Sequence, residues 1–424
     1  MSEHLTELNY LNISDKNPIP QGVKSFKHIQ QQGVLLKPLS FIIKKQVIPN
    51  SSRYQQLSDG LWQGDPSMDV LVEWLFSENP AQRKKIFEQA LQHGISSIED
   101  CPIEIQHFFN QIETYPAWLD QKKMEQALDF IAATGIHANY ILRDVALMGG
   151  YLLSGLNQAL VLTGALNKGA SRRLAETSKW WIDCTTKNGL RRDGAGFKST
   201  IHVRMIHSLV RRNLKKRQEW NASAWGLPIN QIDMAATNLA FCNLFLLGLR
   251  GIGIFPNRQE ADAVMHFWKY LGWLMGVEEK WLAEHEVDGM ILMYQFIQTQ
   301  PSADWTSKAL GYSLSQEPFE KEYQRFIKLR QQLDYHKHLS ISRYFLGSKK
   351  MELLGLPKHI IPWYPVLLTP KNIAIFRLQR FIPILREKQI QRGRQEQLDY
   401  LAGFGSKGTQ VIQPAKDHPA YIAN

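Results

Sequence analysis

The residues best equipped for chemistry lie in two stretches, 172–181 and 199–214. In the second, a helical repeat of about 3.6 residues per turn puts His207 on one face with Val203, Arg204, Val210, Arg211 and Leu214. That face is apolar, with an imidazole at its centre and a guanidinium roughly one turn to either side. Such a surface suits a buried anionic cofactor whose centre takes a nitrogen ligand and whose edge takes cations, and heme b is the commonest group of that description. A histidine on an apolar face is more often a satisfied core residue, so spacing alone leaves both readings open. His202, about 140° further round the helix, should face elsewhere. In the first stretch Arg173, Thr177, Trp180 and Trp181 stand at i, i+4, i+7 and i+8 and share a face. A guanidinium and a hydroxyl there could orient dioxygen or a substrate, with the tryptophans shaping an apolar pocket. An amphipathic helix with a tryptophan core reads the same residues without chemistry.

Other chemistries find less support. A carboxylate-bridged diiron site needs paired Glu-x-x-His motifs, and Glu104-x-x-His107 has no second copy. Cys101, Cys184 and Cys242 are odd in number and widely spaced, which suits three thiols in a reducing compartment and offers no C-x-x-C for zinc, redox work or covalent heme. Cys242 sits in an apolar run and lacks the glycine-rich loop of a thiolate heme ligand. Phosphate-cradling and dinucleotide glycine patterns are missing. The net charge of +11 fits nucleic acid, an acidic membrane surface or cations around buried propionates. Without a zinc-finger spacing, an RNA-binding signature or a long Lys/Arg block, nucleic acid is not the expected partner.

The elements that must position these residues are helical. A chain of 424 residues, 44% hydrophobic and 21% charged, can bury one large core or two or three modules. Asp65 can cap a helix that Pro66 opens, and helical periodicity recurs over 69–76, 80–93, 104–113 and 121–131. Residues 145–167 are uncharged and long enough to cross a bilayer, but Gly149, Gly150, Gly155, Asn157, Gln158 and Gly164 mark one or two buried helices in close contact. The run 235–249 reads the same way. Residues 187–198 form a glycine-rich loop, with Ser199 or Thr200 capping the helix that carries His207. Pro228 can open the next helix, on which Asn230, Asp233 and Thr237 share a face, either as hydrogen-bond partners of a cofactor's ligands or, for the first two, as caps. After Pro256-Asn257 an aromatic helix occupies 259–277. The expected fold is all-α, a multi-helix bundle around a buried pocket.

Three regions are expected: an N-terminal arm over 1–55 with a short strand or amphipathic piece at 34–47, a helical domain over 56–335, and a C-terminal helical extension over 336–424 that ends in a flexible tail after about Gly403. Within the extension, Phe376, Leu378, Phe381, Ile382 and Ile384 are interleaved with Arg377, Arg380, Arg386 and Lys388. One reading is a helix on a membrane surface. The other, favoured because Pro383 interrupts the pattern, is a helix packed on the core with a solvated basic face. Residues 1–32 lack the pattern of a secretory signal and a twin-arginine pair, so the expected location is the cytoplasm, with peripheral membrane contact through the basic helix as the open alternative.

The string Val203-Arg204-Met205-Ile206-His207-Ser208-Leu209-Val210-Arg211 resembles the heme-ligand helix of the latex-clearing proteins and their wider relatives, the MpaB-type oxygenases. Gly64-Asp65-Pro66 with Asp69, Arg172-Arg173-Leu174-Ala175-Glu176-Thr177, and the stretches 225–237 and 267–277 resemble further segments of that family in the same order. The resemblance covers about 60 to 282, a little over half the chain. It implies an all-α heme b oxygenase or peroxidase-like oxidoreductase, acting with O₂ on an apolar small molecule such as one with an isoprenoid double bond. His207 then becomes the axial ligand of the iron. Arg204 and Arg211 bind the propionates or orient the proximal side, and Arg173 and Thr177 stand on the reactive side, Thr177 close enough to count as cofactor-binding. Rubber-cleaving members carry a lysine where this chain has Glu176, a third candidate for the reactive side whose difference bears on the substrate. The rival from another class is a helical carrier that holds heme or a lipid-like ligand in the same pocket without turnover.

Overall fold

The computed structural model describes residues 17–405 apart from 165, 167, 168, 322 and 324. Among the described residues every regular element is helical and no strand forms. Of the two readings of 34–47, the strand does not form: the piece is a 3₁₀ turn, Val34–Leu36, followed by an α-helix, Lys37–Ile43. Pro38 explains the choice: in a first helical turn its missing N–H has no partner to lose, whereas a strand would forfeit a ladder bond. Asp65 caps Pro66–Leu75 as its position suggests, accepting the Met68 N–H at 3.3 Å.

Three packings position the site. The helix Ala170–Cys184 lies against Ala195–Leu214, the histidine helix, and Pro66–Leu75 crosses the same histidine helix from another side. Arg258–Leu274 packs on Gln121–Ala133, on which Pro383–Ala402 also rests. The histidine helix begins at Ala195, four residues ahead of the expected Ser199, with Gly194 at its cap and no side-chain capping bond. Ser199 and Thr200 instead donate back to the Gly196 carbonyl, at 3.2 and 2.6 Å, inside the helix. Gly196 sets the start, because a Cβ there would lie 2.6 Å from the Cys184 Cα and the two helices could not meet. The next helix starts at Gln231 rather than at Pro228, and the Asn230 side chain caps it by accepting the Asp233 N–H at 2.9 Å.

The two apolar runs are central helices. Ile136–Gly150 and Ser154–Leu162 meet at 96°, so the described part of that run, through Leu162, turns a corner rather than forming one span. Gln231–Gly251 is long and apolar enough to cross a bilayer, but most of its apolar window is buried by other helices of this chain. Each run contains a π-helical turn, Leu142–Leu147 in one and Ala240–Leu244 in the other, and the two turns touch. Such turns recur at functional sites because the extra residue re-aims the side chains around it. A buried charged group unseen in the sequence sits on the first. Arg143 pairs with Asp144, donates Nε to Glu317 at 3.2 Å and Nη2 to the Leu314 carbonyl at 2.8 Å, while Asp144 lies 2.6 Å from His338 Nδ1. This ties the core to the long helix Ile327–Leu353.

At the C-terminus the chain breaks at Ile382, between Trp363–Phe381 and Pro383–Ala402, where Pro383 cannot continue a helix. The solvated basic face expected there is only part of what is found. Pro365, Leu368, Asn372 and Gln379 turn inward, with Asn372 donating to the Ile252 carbonyl at 2.9 Å, and Leu367, Leu378 and Phe381 turn out. The expected tail lies, from residue 406 onward, outside the described residues.

Candidate functional site

The histidine helix is locked to Pro66–Leu75 by two carboxylates one turn apart and two guanidinium groups two turns apart. Arg204 makes a two-pronged pair with Asp65, Nε to Oδ2 at 2.6 Å and Nη2 to Oδ1 at 2.8 Å, and donates Nη1 to the Leu274 carbonyl at 3.1 Å. Its guanidinium lies over the Phe108 ring at 5.1 Å. Arg211 pairs with Asp69 and donates Nη2 to the Ile229 carbonyl at 2.7 Å, and the Ser208 hydroxyl donates to the same Asp69 at 2.5 Å. Arg204, Ser208 and Arg211, at i, i+4 and i+7, therefore form one polar seam. Gly276 makes room for it: its φ of +84° is open to glycine, and a Cβ there would stand 2.3 Å from Asp65 Oδ2 and 2.7 Å from Arg204 Nε. The two arginines offered to an anionic cofactor are thus committed to carboxylates of their own chain. The pairing with Asp65 and Asp69 is what the sequence reading missed, although it had picked out both segments.

His207 sits beside the seam, about 60° round the helix from Arg204. It lies deep among protein atoms, yet part of its surface stays accessible, as do its helix neighbours Val203 and Ile206. A side chain facing an opening within the bundle has this combination. Burial, followed by the nearby Arg211 cation, pushes its pKa down to about 4, with Asp65 pulling weakly the other way. The imidazole is therefore neutral at pH 7. Its Nδ1 is buried with no hydrogen-bond partner. His202 turns the other way, as its spacing requires, to Glu88 at 2.9 Å. The two histidines thus divide cleanly, one satisfied and one not.

On the facing helix Ala170–Cys184, Thr177 is exposed and Arg173 half-buried, and neither makes an ion pair or side-chain hydrogen bond among the described residues. Glu176 is held by Arg172 at 3.0 Å. Trp180 and Trp181 are buried. Trp180 donates to the Thr200 hydroxyl of the histidine helix at 3.1 Å and packs edge-on against Phe241, which stacks on Trp268 at 4.7 Å. One aromatic cluster therefore joins the facing helix, the histidine helix, Gln231–Gly251 and Arg258–Leu274. Among the accessible positions of Gln231–Gly251, Thr237, Ala240, Phe241 and Leu244 are spaced i, i+3, i+4 and i+7, a mainly apolar strip across the π turn.

Asp233, one turn before Thr237, is buried and has no cationic partner among the described residues; it accepts from Asn230 and Gln300, each at 2.9 Å. Burial pushes its pKa up to about 7 against those two bonds. The folded protein thus holds this proton where the unfolded chain, with a pKa of 3.8, has released it, so its contribution to stability is complete below about 4 and lost as pH rises to about 7. Asp233→Asn should therefore gain stability relative to wild type as pH rises through that window, with the difference levelling off above it, in melts recorded across pH. A difference independent of pH would show Asp233 to be ionised throughout. Two surface clefts, one of about 350 Å³ beside Phe26 and Ile48 and one of about 550 Å³ beside Arg343 and His359, share no residue with this region.

Comparison with known proteins places these features in one context. Residues 138–370 match the family described as ER-bound oxygenase mpaB/B'/Rubber oxygenase, catalytic domain. The Rubber oxygenase of Streptomyces sp. (strain K30) is 21% identical over 199 residues, 46% of this chain and 47% of that protein. The chain thus aligns with about half the length of that relative. The structure of latex clearing protein LCP in the closed state superposes with a TM-score of 0.62 at 17% identity, covering 80% of this chain and 91% of the other, a likeness of fold.

Proposed function

We propose, from the premise that the chain belongs to the family of MpaB-type and rubber oxygenases, that it is a heme b-dependent oxygenase acting with O₂ on an apolar, isoprenoid-like small molecule. In this reading His207 would hold the iron. The observation that carries it is the state of that imidazole: deep but accessible, neutral, and without a protein partner at either ring nitrogen among the described residues, Nδ1 being closed off and Nε2 left as the nitrogen open to a ligand. A histidine binds metal only as the neutral ring, and most side chains so buried have found a partner within the protein. The donor type and apolar surroundings therefore fit the group, and bound heme would supply the O₂ activation that protein side chains lack.

The chain's own residues have distinct tasks. Asp65 and Asp69, through Arg204 and Arg211, fix the rotation of the histidine helix and so the aim of His207; of the two roles the family likeness implies for these arginines, this favours orienting the proximal side. Arg173 and Thr177 are the free donors of the facing helix, able to orient O₂ or a polar end of the substrate. Glu176, tied to Arg172, shapes that side without a free charge to offer. Phe241, Leu244 and the neighbouring tryptophans give an apolar wall that excludes water and receives hydrocarbon.

Oxygen uptake by heme-loaded protein over a panel of unsaturated isoprenoids tests the reading. Uptake with at least one of them, lowered about a hundredfold in Thr177→Ala with an unchanged visible spectrum, is the expected result. A loaded protein that consumes no oxygen with any of them would make it a carrier.

A further inference from the structure

The helix Trp363–Phe381 is amphipathic in the wrong sense for a soluble surface. Its inner face buries Asn372 and Gln379 beside Pro365 and Leu368, while Leu367, Pro370, Ala374, Leu378 and Phe381 face out at the 3- and 4-residue spacings of one stripe. Leu367 is 66% exposed, Leu378 53% and Phe381 82%, values that mark an apolar surface and not the edges of a packed one. The stripe runs for about 20 Å at 1.5 Å per residue. Beyond the break it continues in Ile384, 61% exposed, and ahead of the helix Ile361 is 74% exposed. The inner bond from Asn372 to the Ile252 carbonyl fixes which face is outward.

Charge identifies what this stripe meets. The helix contains no acidic residue. Lys371 and Arg377 flank the stripe, and Lys388 follows it; all three are exposed and make no ion pair among the described residues. At the N-terminal end of the helix opens the cleft of about 550 Å³ whose walls carry Arg343, Lys349 and His359, with Lys358 paired to Glu352 at 3.6 Å and Ile361 also lining it. We propose that this face docks on the surface of a membrane containing anionic phospholipid, the stripe entering the boundary between headgroups and acyl chains and the flanking cations meeting lipid phosphates. Apolar side chains bordered by unpaired lysine and arginine are the signature of a helix lying in that interface. A second copy of this chain suits the face poorly, since a two-fold contact through the stripe would set Lys371 and Arg377 against their own like charges. Nucleic acid would meet the cations but leave the leucines and Phe381 in water. Docking here would also bring an enzyme for apolar molecules to the phase in which such molecules dissolve, a consequence that rests on the function proposed above; the docking itself does not.

Flotation of the full-length protein with vesicles of phosphatidylcholine alone, and of equal parts phosphatidylcholine and phosphatidylglycerol, tests this independently of heme or turnover. Wild type should float with the mixed vesicles, weakly with phosphatidylcholine, and less with rising salt. Leu378→Asp with Phe381→Asp, at exposed positions, should leave the circular dichroism and melting curve unchanged and lower partitioning at least tenfold. Lys371→Glu with Arg377→Glu should lower binding to mixed vesicles about twentyfold or more, at about fivefold for each lost charge, and leave the weak binding to phosphatidylcholine in place. Failure of wild type to float with either vesicle overturns the proposal. So does flotation indifferent to both double variants, and so does light scattering that shows a dimer dissolved by Leu378→Asp with Phe381→Asp while no vesicle is bound.

Discussion

Arg204→Ala should destabilise the protein by about 3–5 kcal/mol, the cost of leaving one member of a buried ion pair without the other. Arg204 is 4% exposed and Asp65 3%, so water cannot take the place of the lost guanidinium, and the Leu274 carbonyl loses a donor as well. Surface pairs of the same kind, such as Arg172 with Glu176, should contribute well under about 1 kcal/mol and make a useful control. Adding Asp65→Asn to Arg204→Ala should restore part of the loss, because asparagine removes the stranded charge and still accepts the Met68 N–H that Asp65 caps. Urea unfolding of the two variants and the control gives the comparison. A loss below about 1 kcal/mol for Arg204→Ala would mean that Asp65 finds solvent or another cation, and that the seam does not hold the histidine helix.

His207→Ala should behave in the opposite way. Its Nδ1 is buried without a partner, so removing the ring discards an unsatisfied polar atom, worth roughly 1–3 kcal/mol, while opening a space of similar cost. The heme-free variant should therefore melt close to wild type. Its heme affinity should fall more than about a hundredfold, beyond what loss of a group merely supporting a ligand produces, and oxygen uptake should fall with it. The two substitutions together separate a residue that builds the site from one that uses it. If His207→Ala unfolds the protein as Arg204→Ala does, the imidazole is a core residue and the cofactor argument loses its footing.

Much of this is legible in the amino-acid sequence. The period of the apolar residues carries the helical fold, Asp65-Pro66 carries a helix start, Pro383 a break, and the divergence of His202 from His207 follows from their spacing. The errors have local causes. Ser199 and Thr200 have the chemistry of caps, but where a helix begins was decided by the contact of Gly196 with Cys184, which lies in another helix. Residues 34–47 have apolar content that suits a strand or an amphipathic piece, and Pro38 decides against the strand, with helix over 34–43. The arginines show the limit most clearly. A guanidinium on an apolar face invites an anion, and a propionate and a carboxylate side chain are the same invitation; nothing local says that the anions are Asp65 and Asp69, some 139 and 142 residues earlier in the chain. The buried group of Arg143, Asp144, Glu317 and His338 was invisible for the same reason, its bonded partners Asp144 and His338 being 194 residues apart. The outward stripe on Trp363–Phe381 was half visible, since the sequence displays both its leucines and its arginines but not which side the core would take.

Absorption spectroscopy of protein expressed with a heme precursor tests the central claim most directly. The account predicts a Soret band at one heme per chain, kept in Thr177→Ala and lost in His207→Ala while the fold, followed by circular dichroism, persists. A wild-type protein that takes up no heme, or a Soret band unchanged when His207 is replaced, would contradict it.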